Sequence, residues 1–124
     1  MNIRVNWANE RHSVIYFEIY EGWNWDEFNG GVDKICVLLK NVRRQVDLIF
    51  IYYDESSEWP PNAIINLRRY AERDVEQIRF IMLVSGNEIV ESVYHLLRRT
   101  HSRLTIHAKV QLATTLEEAH GLIA

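Results

Sequence analysis

The stretch from Val46 to Leu67 constrains this chain most. It opens with Val46, Leu48, Ile49, Phe50, Ile51, Tyr52 and Tyr53, a near-continuous apolar run. Such a run, rich in β-branched and aromatic residues, predicts a strand buried on both faces of a sheet. It stops at Asp54, and a polar loop follows: Asp54, Glu55, Ser56, Ser57, Glu58, Trp59, Pro60, Pro61. Helical spacing then begins at Asn62, with Ile64, Leu67 and Ala71 on one stripe. A buried strand, an acidic loop and a helix form the expected centre of the fold. In parallel sheets, ligands and partners meet the loops at the carboxyl ends of the strands.

The flanking segments extend this pattern. Ile3, Val5 and Trp7 alternate with polar residues, and Val14 to Tyr20 does so again across a polar turn. The period of two predicts an antiparallel hairpin. Within the second strand, Ile15, Phe17 and Ile19 share one side, and Val14, Tyr16, Glu18 and Tyr20 the other. Asn24 stands three residues before Glu27, close to a capping box. A first helix then carries Phe28, Val32, Ile35, Leu39 and Val42 on its apolar face, with Cys36 expected on or beside that face. Gly30 and Gly31 weaken this helix but suit close packing on a sheet. Ile78 to Val84 is a further buried strand, Ser85, Gly86 and Asn87 a turn, and Ile89, Val90, Val93, Leu96 and Leu97 a third helical face. Thr105 to Leu112 is a weak strand pattern. Thr114 with Glu117 opens a short terminal helix. The expected fold is one α/β domain spanning residues 1–124. It has a mainly parallel four- to five-stranded sheet, an N-terminal antiparallel hairpin strand and four helices.

Composition narrows the function classes. A net charge of −3 gives no bias toward nucleic acid or an anionic membrane. The single cysteine excludes an intramolecular disulfide and suits a reducing compartment. No apolar run approaches the roughly 20 residues of a membrane span, so the expected location is cytoplasmic. His12, His95, His101, His107 and His120 are scattered without zinc-ligand spacing. No phosphate-loop, dinucleotide or nucleophile-elbow motif is present. The expectation is a non-catalytic protein without cofactor or metal. Arg98, Arg99, His101 and Arg103 form the densest basic cluster, and cations there suit the end of a helix.

The element order, with its opening hairpin, resembles the STAS domain of anti-sigma factor antagonists over nearly the whole chain. The family has a strand ending near an acid, a loop, and a helix whose first turn holds a serine that a partner kinase phosphorylates. Laid on this chain, the family strand corresponds to Leu48–Asp54 and the helix start to Pro60, Pro61, Asn62 and Ala63. The phosphoserine position falls at Pro61 or Asn62, neither of which accepts phosphate as serine does. The resemblance thus implies a regulatory protein–protein interaction module without the family phosphoserine.

Three helix-opening loops should share one edge of the sheet. That edge collects Trp23 and Trp25; Asp54, Glu55, Ser56, Ser57, Trp59 and Asn62; and Ser85 and Asn87. Tryptophan buries much area at low entropic cost, so it concentrates at binding hot spots. The acids would select a basic partner surface, and Asn62 would cap the second helix. The competing local reading has the tryptophans stapling a helix start and covering the core. The alternative function is binding of a small anionic or lipidic ligand between helix and sheet.

Overall fold

The computed structural model describes residues 2–53, 59–62, 77–85, 88, 90–92, 94–95 and 109–124. Its strands are β1 (Ile3–Trp7), β2 (Val14–Ile19), β3 (Val46–Tyr52), β4 (Ile78–Val84) and β5 (Lys109–Ala113). They form one sheet in the order β1-β2-β3-β4-β5. β1 pairs antiparallel with β2, in register Val5 to Phe17, and the remaining neighbours are parallel. This is the expected α/β class, with the antiparallel strand at the edge. Three helices occur among the described residues: α1 (Trp25–Leu39), α2 (described residues 88, 90–92, 94 and 95) and α3 (Leu116–Ile123). The helix expected from Asn62 lies outside the described residues. So do Arg98, Arg99, His101, Arg103 and His107.

Parallel strands laid down in sequential order, each joined by a right-handed crossover, put the connecting helices on one face. Phe28, Ile35 and Leu39 of α1 accordingly share a core with Val90 of α2 and with Ile3, Val5, Ile15, Phe17, Leu48 and Ile81 from the sheet. The terminal helix α3 covers the other face, where Ala119 and Ile123 meet Val14, Ile49, Ile51, Met82 and Val84. The two faces expected for β2 are thus the two observed cores. β3 is central and buried except for Phe50, which is half-buried against Phe17 and Phe28. Tyr53, just past the strand, is exposed.

Four local expectations need correction. Cys36 is exposed on α1. One residue along a helix is about 100° of rotation, enough to carry Cys36 off the stripe that Ile35 and Leu39 define. Val42 lies beyond the end of α1 and is half-buried there. The terminal helix is capped one residue later than expected: Thr115 Oγ1 accepts from Glu118 N at 3.1 Å, and Glu118 Oε2 accepts from Thr114 Oγ1 at 2.8 Å. Asn62 has φ of 69°, the left-handed region, whereas an N-cap takes the extended backbone seen at Asn24, with φ of −135°.

Asp47 is the one charged residue among the buried residues described. Its carboxylate accepts from Arg79 Nε at 3.0 Å and Nη2 at 2.8 Å, and Nη2 also donates to Ile123 O at 3.0 Å. The fork ties β3, β4 and the end of α3 together at the amino edge of the sheet.

Candidate functional site

The carboxyl edge is built from two connections. After β2, Tyr20 N donates to Asn2 O at 2.7 Å, and the chain turns at Gly22, whose φ of 87° suits glycine. Asn2 Nδ2 donates to Gly22 O at 3.0 Å, fixing the turn against β1. Trp23 then drops into the core beside Phe28, leaving 5% of its surface exposed. Asn24 caps α1 by accepting from Glu27 N at 2.8 Å. The Glu27 carboxylate does not close the expected box on Asn24. It accepts instead from Asn2 N at 2.8 Å and Asn2 Nδ2 at 3.3 Å, joining the helix start to the edge strand. Trp25 is the first helical residue and is half-buried.

The connection after β3 supplies Trp59 to the same place. Its ring centroid lies 5.4 Å from that of Trp23, nearly perpendicular, 6.0 Å from Trp25 and 5.9 Å from Tyr52. Trp23 and Trp25 are themselves edge-to-face at 4.8 Å. Such contacts contribute roughly 0.5–1.5 kcal/mol each beyond area burial. Trp25 Nε1 donates to Pro60 O at 3.2 Å, so one indole clasps the backbone that carries another. The structure therefore brings together Trp23, Trp25 and Trp59. It also shows that Trp23 belongs to the core while Trp25 and Trp59 are half-open.

The polar ends of the cluster are unusual. The indole Nε1 atoms of Trp23 and Trp59 are both shut off from solvent, and among the described residues neither has a hydrogen-bond acceptor. A buried donor without a partner costs about 1–3 kcal/mol. Of the acids on the β2–α1 connection, Glu21 and Asp26 are exposed while Glu27 is engaged by Asn2. The five residues between Tyr53 and Trp59 add Asp54, Glu55 and Glu58 in sequence. Asp54, Glu55, Ser56, Ser57 and Asn87 lie outside the described residues. Ser85 stands at the same sheet edge, but its N–H donates to Ala113 O at 3.1 Å, so its backbone continues the β4–β5 ladder.

Around the corner, on the α3 side, Tyr20 and Tyr53 stack at 5.0 Å with the Arg4 guanidinium over Tyr20. Partial burial, then the neighbouring Glu18 carboxylate, raise the pKa values of Tyr16 and Tyr53. The three described histidines serve separate neighbours: His12 stacks on Trp7, His95 lies 3.8 Å from Glu91, and His120 is hydrogen-bonded to Tyr16. No group of His, Cys, Asp and Glu suited to a metal ion occurs among the described residues. No described helix is long and apolar enough to cross a membrane.

A scan against protein-family models finds no matching family, and searches of curated proteins and of solved structures find no match.

Sequence reasoning reached the three tryptophans through topology alone. It missed Tyr52 and Phe28 as their supports, because those residues read equally well as ordinary core. It also missed the Asp47–Arg79 fork, whose only signal was an acid inside an apolar run.

Proposed function

We propose that this chain is a non-catalytic regulatory module that binds a protein partner through its carboxyl edge, in the manner of the STAS-like domains it resembles and without their phosphoserine switch. The observation that carries this reading is the convergence of Trp23, Trp25 and Trp59 from two connections on that edge, with Trp25 and Trp59 half-open. A buried aromatic anchor ringed by partly exposed ones is the anatomy of an interface hot spot. The sheet order supports a surface rather than a crevice. It runs β1 to β5 without reversal, so the described strands have no switch point of the kind that opens a cleft for a nucleotide. The exposed acids Glu21 and Asp26 oppose an anionic ligand and favour a basic partner.

The test is site-specific photocrosslinking in native cells. A benzophenone side chain placed at Pro61, exposed on this edge, should give one discrete protein adduct that disappears with Trp59→Ala. The same probe at Glu10, exposed in the hairpin turn, should not give that adduct. Identical adducts from both positions, or an adduct indifferent to Trp59, would sink the reading.

A further inference from the structure

Two buried indole donors that find no acceptor among the described residues lie in rings 5.4 Å apart. The edge-to-face packing leaves room for weak N–H to ring contacts, which replace only part of a hydrogen bond. The residual deficit favours any partner that supplies oxygen acceptors. The surroundings restrict which acceptor fits. A carboxylate or phosphate would stand near the exposed Glu21 and Asp26 and close in sequence to Asp54, Glu55 and Glu58, so like-charge repulsion disfavours it. A neutral carbonyl meets no such penalty. The exposed Glu21 and Asp26, close in sequence to Trp23 and Trp25, favour a cation close to that carbonyl.

We propose that the Trp23–Trp59 contact is the closed form of a site for an extended basic peptide segment. Peptide carbonyls accept from the two indole N–H groups, and an arginine side chain stacks on an indole face beside the carboxylates. The proposal rests on the interaction reading above and adds the chemistry of the partner. Its opening step is local. Among the described residues, Trp59 and Pro60 are held to the rest of the fold by ring packing on Trp23, Trp25 and Tyr52 and by the Trp25 Nε1 to Pro60 O bond. Tilting the Trp59 ring away from Trp23 would open the contact between the two rings, and neither residue lies in a strand. The net charge of −3 adds a weak long-range attraction for a basic segment.

The experiment uses the whole protein labelled with nitrogen-15 and an acetylated, amidated Leu-Arg-Leu-Arg peptide. Four indole N–H signals report on Trp7, Trp23, Trp25 and Trp59. The Trp23 and Trp59 signals should move downfield and saturate, while Trp7, stacked on His12 in the hairpin turn, stays in place. A Leu-Glu-Leu-Glu peptide and decanoate should leave all four unmoved. A second arm replaces the indole at 23 or 59 with benzothiophene, which keeps the ring shape and deletes the donor. The thermal midpoint should hold or rise, and the dissociation constant for the basic peptide should increase about fivefold to tenfold per donor. Indole signals that ignore the basic peptide, that move equally with the acidic peptide or decanoate, or a benzothiophene variant that binds as tightly as the parent would each overturn the proposal. None of those results touches the crosslinking outcome, so a discrete adduct at Pro61 alongside unmoved indoles would leave an interaction module with a partner of different chemistry.

Discussion

Replacing Gly31 with alanine sets two known effects against each other in one helix. Any alanine in the interior of α1 gains about 1 kcal/mol of helix propensity over glycine. At Gly31 the added methyl group would stand 2.7 Å from both Cε2 and Cζ of Phe17 and 3.1 Å from Cγ2 of Ile3. Phe17 is fully buried and hemmed in by Phe28 and Phe50 at centroid distances of 4.9 and 4.6 Å, so its ring has little room to retreat. Overpacking of this kind costs about 1–3 kcal/mol. The net expectation for Gly31→Ala is a loss of up to about 2 kcal/mol. Gly30 is the internal control: it is exposed, and an added methyl group there has nothing within 4 Å. Gly30→Ala should gain about 0.5–1 kcal/mol. Urea denaturation followed by circular dichroism measures both, and in heat the two variants should melt several degrees apart on opposite sides of the parent. Equal stabilisation by both substitutions would mean that α1 does not sit on Phe17, and the packing of the whole first layer would be misread.

Three other substitutions test separate parts of the structure. Arg79→Met leaves the buried Asp47 carboxylate and the Ile123 carbonyl without their donor and should cost about 2–4 kcal/mol in chemical denaturation, whereas a loss below 0.5 kcal/mol would show the fork to be ornamental. Tyr16 and Tyr53 hold their protons longer in the fold than in the open chain, so the stability they contribute is complete below pH of about 10 and is lost as pH rises through their folded pKa values. A Tyr16→Phe, Tyr53→Phe double variant should therefore show a flatter alkaline melting profile than the parent, and superimposable profiles would refute the assignment. Trp59→Ala removes a half-buried ring that touches Trp23, Trp25 and Tyr52, so it should lower both partner affinity, by about 2 kcal/mol or more, and the thermal midpoint; calorimetry beside a melting curve measures the two.

Much of the fold was legible because burial imposes periodicity. Alternation marked β1 and β2 and even sorted β2 into its two faces, since a strand has only two sides. Unbroken apolar runs marked β3 and β4, the strands covered on both. The mainly parallel arrangement with one antiparallel hairpin strand followed from chain connectivity, whereas the strand order came from the structure. Legibility failed where two local solutions compete. Thr114-Thr115 followed by Glu117-Glu118 offers two capping registers, and the one adopted brings Ala119 and Ile123 onto the sheet. At Glu27 the capping box lost to Asn2, a partner 25 residues away that only the folded hairpin delivers. The same limit applies to Asp47 and Arg79, which are 32 residues apart. At the candidate site, topology placed three tryptophans on one edge. Their division into one buried and two half-open rings depends on ring-by-ring packing, which no spacing rule encodes.

The core and the edge are mechanically linked, and this yields a last expectation. Trp25 is the first residue of α1, and Gly31 lies six residues further along, about 9 Å down the axis. How deeply α1 sits on Phe17 therefore sets where Trp25 stands, and Trp25 holds Pro60 through its indole N–H. A methyl group at position 31 pushes the helix outward by a few tenths of an ångström or tilts it about that contact. Either motion strains a bond of 3.2 Å whose acceptor belongs to another connection. A hydrogen bond weakens with such stretching before ring packing does, because it is the more directional contact. In Gly31→Ala the Trp25 indole signal should shift and its proton should exchange faster with solvent. The Trp7 signal, at the opposite end of β1 from Ile3, should change less. Gly30→Ala, which alters the same helix without touching Phe17, should leave the Trp25 signal where it is. If both alanine variants leave Trp25 unmoved while Gly31→Ala still destabilises the fold, the edge is held independently of α1, and its aromatic cluster must draw its geometry from β3 and Trp23 alone.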